Sequence, residues 1–385
     1  MEQLLNRNHF ADPLGGLTDQ QWDELAGDRF YSSAFWLRLC GLEGGGVSGA
    51  VPVELPGGGL AAVPVIAVGE QPHPNCRWGD RLAARGLPSP ASQGLLIGQR
   101  RGYLAHLLAR PDADPGTVAE ALLAAVRAAK PPAPVTDAGA RVALFLTTPD
   151  VLALRAAGVR SSPVLLAADA WIEIPAGGWD GWLDSLGSRH RASRIRSEAR
   201  RFSQAGCRVW QRPLAEAYPE VARLTVQTEH RYGKPADQDR YAEAFRLQGE
   251  FAGPRAQVLL CGYDDGPAVG CCLYYRAGDT IYLRAVGFDY PRLRGAAEYF
   301  NLAYYLPAQL PGVRWLHAGI STPDGKALRG AQLRPLWLLD LSEHSVLTEA
   351  ADQVRAHNAA FRTDLANSSP AVAAALDPEL WNSLD

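Results

Sequence analysis

The run Arg292-Leu293-Arg294-Gly295-Ala296-Ala297 follows a strand-like stretch and opens a helical one. Small residues at Gly295 and Ala297 let backbone N–H groups approach a diphosphate, which the unpaired donors and positive dipole of a helix start can hold. Arg292 and Arg294 add positive charge to such a loop. The same pattern also fits a plain helix start. A second cluster lies between Ser188 and Phe202, where Arg189, Arg191, Arg194, Arg196, Arg200 and Arg201 stand against one acidic residue, Glu198. Ala192, Ile195, Ala199 and Phe202 share one helical stripe, so the spacing predicts a helix docked by that face with its arginines outside. Such a surface suits phosphates, whose neutralisation releases counterions and gives salt-dependent affinity even for a chain of net charge −3. The other reading is a solvated face whose charges pair with acidic neighbours.

Composition narrows the class. With 385 residues, 21% charged and 47% apolar, the chain reads as a soluble globular protein of two or three domains. Its apolar stretches have strand length, short of the roughly 18 residues of a membrane span, and Met-Glu-Gln-Leu-Leu-Asn-Arg lacks the apolar core of a signal peptide. The expected location is the cytoplasm. Six scattered cysteines give neither a zinc spacing nor a disulfide framework and read as small buried apolar residues. No metal site and no Ser-His-Asp set has support. Lysine occurs only at Lys130, Lys234 and Lys326.

The elements that must position these groups come in two sets. Ala153 to Val164 is echoed at Ala327 to Leu336, each copy starting Ala-Leu-Arg and running into an apolar strand that closes on Asp169 or Asp340. Helical stretches at Ala119–Val126 and Gly295–Leu306, then short apolar runs at Val142–Leu146 and Val313–Leu316, precede the copies. Helix, strand, helix, strand therefore occurs twice, which argues for two copies of one domain. In the first half, Thr18 and Gln21 form a capping box ahead of a helix at Asp19–Ala26. Val47–Leu55 and Leu60–Val68 form a hairpin across Pro56-Gly57-Gly58-Gly59, and Gln71 to Gln93 reads as irregular. In the second, Ala256–Tyr263, Ala268–Tyr275 and Thr280–Val286 read as an antiparallel meander. The tail Glu349–Leu365 reads as an amphipathic helix. The fold class expected is α+β, two tandem acetyltransferase-like domains at 1–165 and 166–345, each a mixed, mainly antiparallel sheet flanked by helices, with a helical tail at 346–385.

The meander leading into Arg292–Ala297 resembles the GNAT superfamily of N-acetyltransferases. Trp182-Leu183-Asp184-Ser185-Leu186, His190-Arg191 with the arginine-rich helix, and Thr228-Glu229-His230-Arg231-Tyr232-Gly233 are similar to its Fem-type branch, whose members have tandem domains. Leu316-His317-Ala318-Gly319 through Gly325-Lys326-Ala327-Leu328-Arg329-Gly330 resembles that branch's closing motif, in which a basic residue follows a strand, a glycine and a short loop. The likeness covers about residues 165 to 341. It lacks the inserted coiled-coil arm of the peptidoglycan enzymes.

What the resemblance implies is transfer of an acyl group to an amine. In the Fem enzymes the donor is an aminoacyl-tRNA and the acceptor a peptidoglycan precursor; relatives acylate small molecules, and some use acyl-CoA. The reaction needs a base for the amine, charge opposite the oxyanion and a proton for the leaving group. Lys326, with Arg329, falls at the family's basic position. Glu229 or His230 is available as the base and Tyr282 or Tyr304 as proton donor. The donor-binding set is Arg292, Arg294, Gly295 and Ala297 with Arg191, Arg194, Arg196 and Arg200. The expected protein is an amide-forming acyltransferase with no bound cofactor, an aminoacyl-tRNA donor and a small-molecule or peptidoglycan-type amine acceptor, with a place in natural-product synthesis among the options. An acyl-CoA-dependent N-acyltransferase and an RNA-binding or scaffold protein are the alternatives.

Overall fold

Alternating apolar runs separated by glycine-rich turns dictate the sheets. A computed structural model describes residues 10, 12–42, 46–70, 72–133, 135 and 139–384; the polar N-terminal segment and Gln71 of the sequence reading lie outside them. Twelve strands are present among these residues: β1 Val47–Glu54, β2 Leu60–Val68, β3 Gly94–Ile97, β4 Leu108–Ala109, β5 Ala140–Leu146, β6 Val164–Glu173, β7 Cys207–Pro213, β8 Ala256–Tyr263, β9 Gly270–Ala277, β10 Thr280–Phe288, β11 Trp315–Gly319 and β12 Gln332–Asp340. The chain divides into two compact units, 1–169 with 334–385, and 170–333.

In the first unit β1, β2 and β3 pair antiparallel, β4 adds to β2, β5 joins β3 in parallel, and β12 closes antiparallel on β5. The β1–β2 turn works because Gly57 and Gly58 take φ of 93° and 94°, conformations that L side chains resist. Thr18 and Gln21 cap the helix Asp19–Ala26 reciprocally, as expected. Trp22 and Leu25 of that helix pack with Leu14, Leu37, Ala50 and Leu108. Between Gln71 and Gln93 the chain is less irregular than expected, with a short helix at Trp78–Ala83.

In the second unit β7, β8, β9 and β10 pair antiparallel, β11 joins β10 in parallel, and the end of β6 closes antiparallel on β11. Both units thus repeat one plan, an antiparallel ladder, one parallel pair and an antiparallel closing strand. The closing strands are exchanged along the chain: β6, from the first copy of the repeat, pairs with β11, and β12, from the second, pairs with β5. This differs from the division at 165 expected from sequence. The tail also joins the first unit rather than standing apart, because Asn358 on the helix Ala351–Ser368 bonds both Leu165 N–H and the Pro163 carbonyl at 2.9 Å. Against the sheet of the second unit packs the helix Leu214–Arg231, so closely that a Cβ on Gly287 would lie 2.4 Å from the Leu224 carbonyl carbon.

Candidate active site

The parallel pair β10 and β11 is short. Only Thr280, Ile281 and Tyr282 pair, with Trp315, Leu316 and His317; β10 then runs on to Phe288 without β11 beside it. Irregularities fall at the parting point, between Leu283 and Ala285 on β10 and between His317 and Gly319 on β11. A bulge leaves backbone groups unpaired and re-aims side chains, which is why such features gather at functional sites. Tyr282 and His317 are buried there, their rings 5.4 Å apart and both packed on Trp171, at 6.1 and 4.7 Å.

Beyond Gly319 the chain turns through Thr322, at φ 50°, into a single helical turn, Pro323–Ala327. Lys326 on that turn is buried, and its Nζ donates to the Gly319 carbonyl at 2.8 Å. A lysine on a surface loop would be free in water; this one is fastened at the end of β11. Arg329 follows, also buried, with its donors taken up inside the fold. Its Nη2 pairs with Glu198 Oε2 at 3.1 Å and bonds the Tyr305 hydroxyl at 2.9 Å, while Nη1 donates to the Gly325 carbonyl at 2.7 Å. The guanidinium also lies 3.5 Å from the centre of the Phe300 ring. The Tyr305 hydroxyl donates to Glu198, and Trp182 Nε1 donates to the Arg329 carbonyl at 3.1 Å. Burial raises the Tyr305 pKa against the lowering effect of Arg329, so the hydroxyl keeps its proton.

Glu198 belongs to the basic helix, Arg189–Gln204, which begins on the Ser188 hydroxyl. Ala192, Ile195 and Phe202 are buried as the stripe requires, and Glu198 is buried among them. The one acidic residue of the helix is therefore its anchor. Arg194 bonds Glu198 at 3.0 Å and Arg196 lies 4.0 Å from Asp184, whereas Arg191 is half-buried and Arg189, Arg200 and Arg201 are exposed.

The loop Arg292–Ala297 departs from the expected helix start. Gly295 and Ala297 take positive φ, 72° and 59°, so the helix begins only at Glu298 and passes into a π-helical turn at Asn301–Tyr305. Alternating signs of φ make a nest, a concavity of N–H groups that holds anions. Here the anion is internal. Arg294 N–H donates to Glu298 Oε1 at 2.7 Å and the Tyr263 hydroxyl donates to the same oxygen. Burial pushes the Glu298 pKa up, but the bonds from Tyr263 and from the N–H groups of Glu298, Arg294 and Ala296 hold it below the usual carboxylate range. The Arg294 guanidinium is turned to Asp264 at 2.9 Å and lies 4.1 Å from the Tyr263 ring centre. Arg292 is exposed.

Of the remaining candidates, Glu229 and His230 bond elsewhere and Tyr304 lies beside Arg329. Glu229 pairs with Lys234 at 3.0 Å and His230 meets the Ala236 carbonyl at 3.0 Å, at the end of the helix Leu214–Arg231. Tyr304 is buried near Tyr299 and 5.6 Å below Arg329, its pKa raised well above the ordinary value by burial and by Tyr299. Lys326 and Arg329 are thus brought together, whereas Glu229 and His230 have no bond to them among the described residues. Tyr305 and Glu298 are not singled out in the sequence, and Glu198 and His317 are noted there without a role.

No family model matches the sequence, and no curated protein matches it. Solved structures do. FemX is similar with a TM-score of 0.56 at 14% identity over 85% of this chain and 96% of that one. This is a Fem-type fold. The C-terminal DUF2156 domain of a protein named as a lysylphosphatidylglycerol synthetase, from Agrobacterium fabrum, gives 0.51 at 11% identity over 88% and 95%. A conserved protein of unknown function from Bacteroides thetaiotaomicron gives 0.51 at 11% over 88% and 97%. At such identities the likeness concerns architecture, and the tandem GNAT-like organisation read from the internal repeat agrees with it. Among the described residues no helix is long and apolar enough to cross a membrane.

Proposed function

We propose that the chain is an amide-forming acyltransferase whose donor is an aminoacyl-tRNA and whose acceptor is an amine. The parting of β10 from β11, with the buried Lys326 ammonium fixed to the end of β11, is the observation that carries the reading. The acceptor nitrogen adds to the ester carbonyl carbon, the bond to the ribose oxygen breaks, and the proton lost from nitrogen ends on that oxygen. A fixed cation stabilises the charge that develops on oxygen without reorganising. Lys326 takes this role, and Glu198 with Arg329 are positioning residues that hold the turn carrying it.

The choice of donor is supported by two features. Glu298 occupies the nest in which a coenzyme A diphosphate would sit, and displacing it would leave a buried carboxylate without its donors. The basic helix offers several exposed arginines along its length, as a polyphosphate chain requires. Retention of a charged tRNA by the full chain on a filter, with coenzyme A as competitor, tests the assignment. Saturable retention that coenzyme A leaves unchanged supports it, and displacement by coenzyme A would overturn it.

A further inference from the structure

The first unit holds two partly buried arginines with which no carboxylate pairs within 4.0 Å among the described residues. Arg81, on the helix Trp78–Ala83, and Arg85, one turn later, are both partly buried. Arg85 Nη1 donates to the Arg81 carbonyl at 2.7 Å and Nη2 to the Leu166 carbonyl on β6 at 2.8 Å. The Arg81 guanidinium lies 5.1 Å from the centre of the Phe145 ring, on a residue held at φ 61° at the end of β5. Such a backbone conformation in a bulky residue is strained and persists where the surroundings impose it. Next to Arg85, His357 Nε2 meets the neighbouring β6 carbonyl, Leu165, at 3.0 Å.

Neither arginine forms an ion pair with a described residue; the nearest acid in sequence, Asp80, lies 3.7 Å from Arg77 and only partly offsets the effect of burial on Arg81. The Nε atoms of Arg81 and Arg85 are buried without a hydrogen-bond partner. Burial lowers the pKa of both, and Arg81 adds to the effect on Arg85, so the two charges repel each other in a poorly solvated place. Unpaired buried charge is costly and seldom kept without a use.

We propose that the first unit holds an anion site in which Arg81 and Arg85 together bind a phosphate ester. A guanidinium presents a planar fork of donors that matches phosphate oxygens, and a dianion relieves the repulsion between two of them. Binding here does not depend on the acyl-transfer reading, since it is measured without donor or acceptor.

The experiment is calorimetric titration of inorganic pyrophosphate into the full chain and into Arg81→Gln, Arg85→Gln, Arg85→Lys and, as a control on the exposed surface of the same unit, Arg155→Gln. Saturable binding is expected in the wild type and in Arg155→Gln, weakened about tenfold or more in each of the other three, because a lysine keeps the charge but loses the fork. Should Arg81→Gln fail to fold, Arg85→Lys carries the comparison. Sedimentation with phosphatidylglycerol vesicles separates two sources of the same chemistry: co-sedimentation lost in Arg85→Lys marks a lipid head-group, and pyrophosphate binding without co-sedimentation marks a soluble ester. Absence of saturable heat in the wild type, or equal affinity in all variants, would overturn the proposal.

Discussion

Glu198 and Arg329, 131 residues apart in sequence, meet as an ion pair of 3.1 Å with side chains 4% and 5% exposed. The pair joins the basic helix to the turn that carries Lys326, because the same guanidinium bonds the Gly325 carbonyl. Removing one partner leaves a buried charge uncompensated, so Glu198→Ala is expected to lower stability by about 3–5 kcal/mol. Urea unfolding should show it as a lower midpoint at unchanged slope. A loss below about 1 kcal/mol would be that of a solvated pair.

For Lys326 the expectation concerns rate and stability together. Lys326→Ala should lower the single-turnover rate of acyl transfer by roughly 10²–10³, the usual effect of deleting one group that faces a developing oxyanion. Since the ammonium is buried on the Gly319 carbonyl, stability should also fall, by about 1–3 kcal/mol. Rates must therefore be compared at a temperature where both proteins are folded. A rate within a few-fold of the wild type would remove Lys326 from the site.

Glu298 makes a pH prediction. Its folded pKa lies below the ordinary value, so it contributes stability that is present above the unfolded pKa of about 4.3 and is lost as pH falls through the folded one. Glu298→Gln should cost stability at neutral pH and flatten the decline on the acid side of about pH 4.3. Thermal melts across that range check it. An acid limb as steep in the variant as in the wild type would show that the carboxylate does not rely on the nest.

The same residues mark how far the sequence could be read. Helix, strand, helix, strand appears twice in the apolar pattern and the structure repeats it, but the pattern does not say which strand each copy closes on. The exchange of β6 and β12 is decided by tertiary pairing. On the basic helix the apolar spacing pointed to the docked face, and Glu198, between Ile195 and Phe202, lies on that face by the same spacing. Its charge hid this, since a glutamate among arginines reads as a surface partner until Arg329 is brought to it. Gly295 and Ala297 suggested a loop for an anion, and their positive φ makes one; that Glu298 fills it follows from the helix starting later than the pattern implied.

The basic helix has its own test. Replacing Arg191, Arg200 and Arg201 by glutamine should weaken binding of charged tRNA and flatten the slope of log affinity against log salt by about 0.7–0.9 for each phosphate no longer neutralised. An unchanged slope, measured by fluorescence anisotropy over a range of salt, would make the helix a solvated surface.

The identity of the acyl donor is the most direct test of the proposed reaction. The full chain is incubated with tRNA carrying labelled amino acids and a small-molecule amine fraction, with and without prior ribonuclease treatment, and in parallel with labelled acetyl-CoA. Label is expected to pass into an alkali-stable amide only from the intact tRNA, with no free thiol released from coenzyme A. Label transferred from acetyl-CoA with stoichiometric thiol release, and none from tRNA, would contradict it.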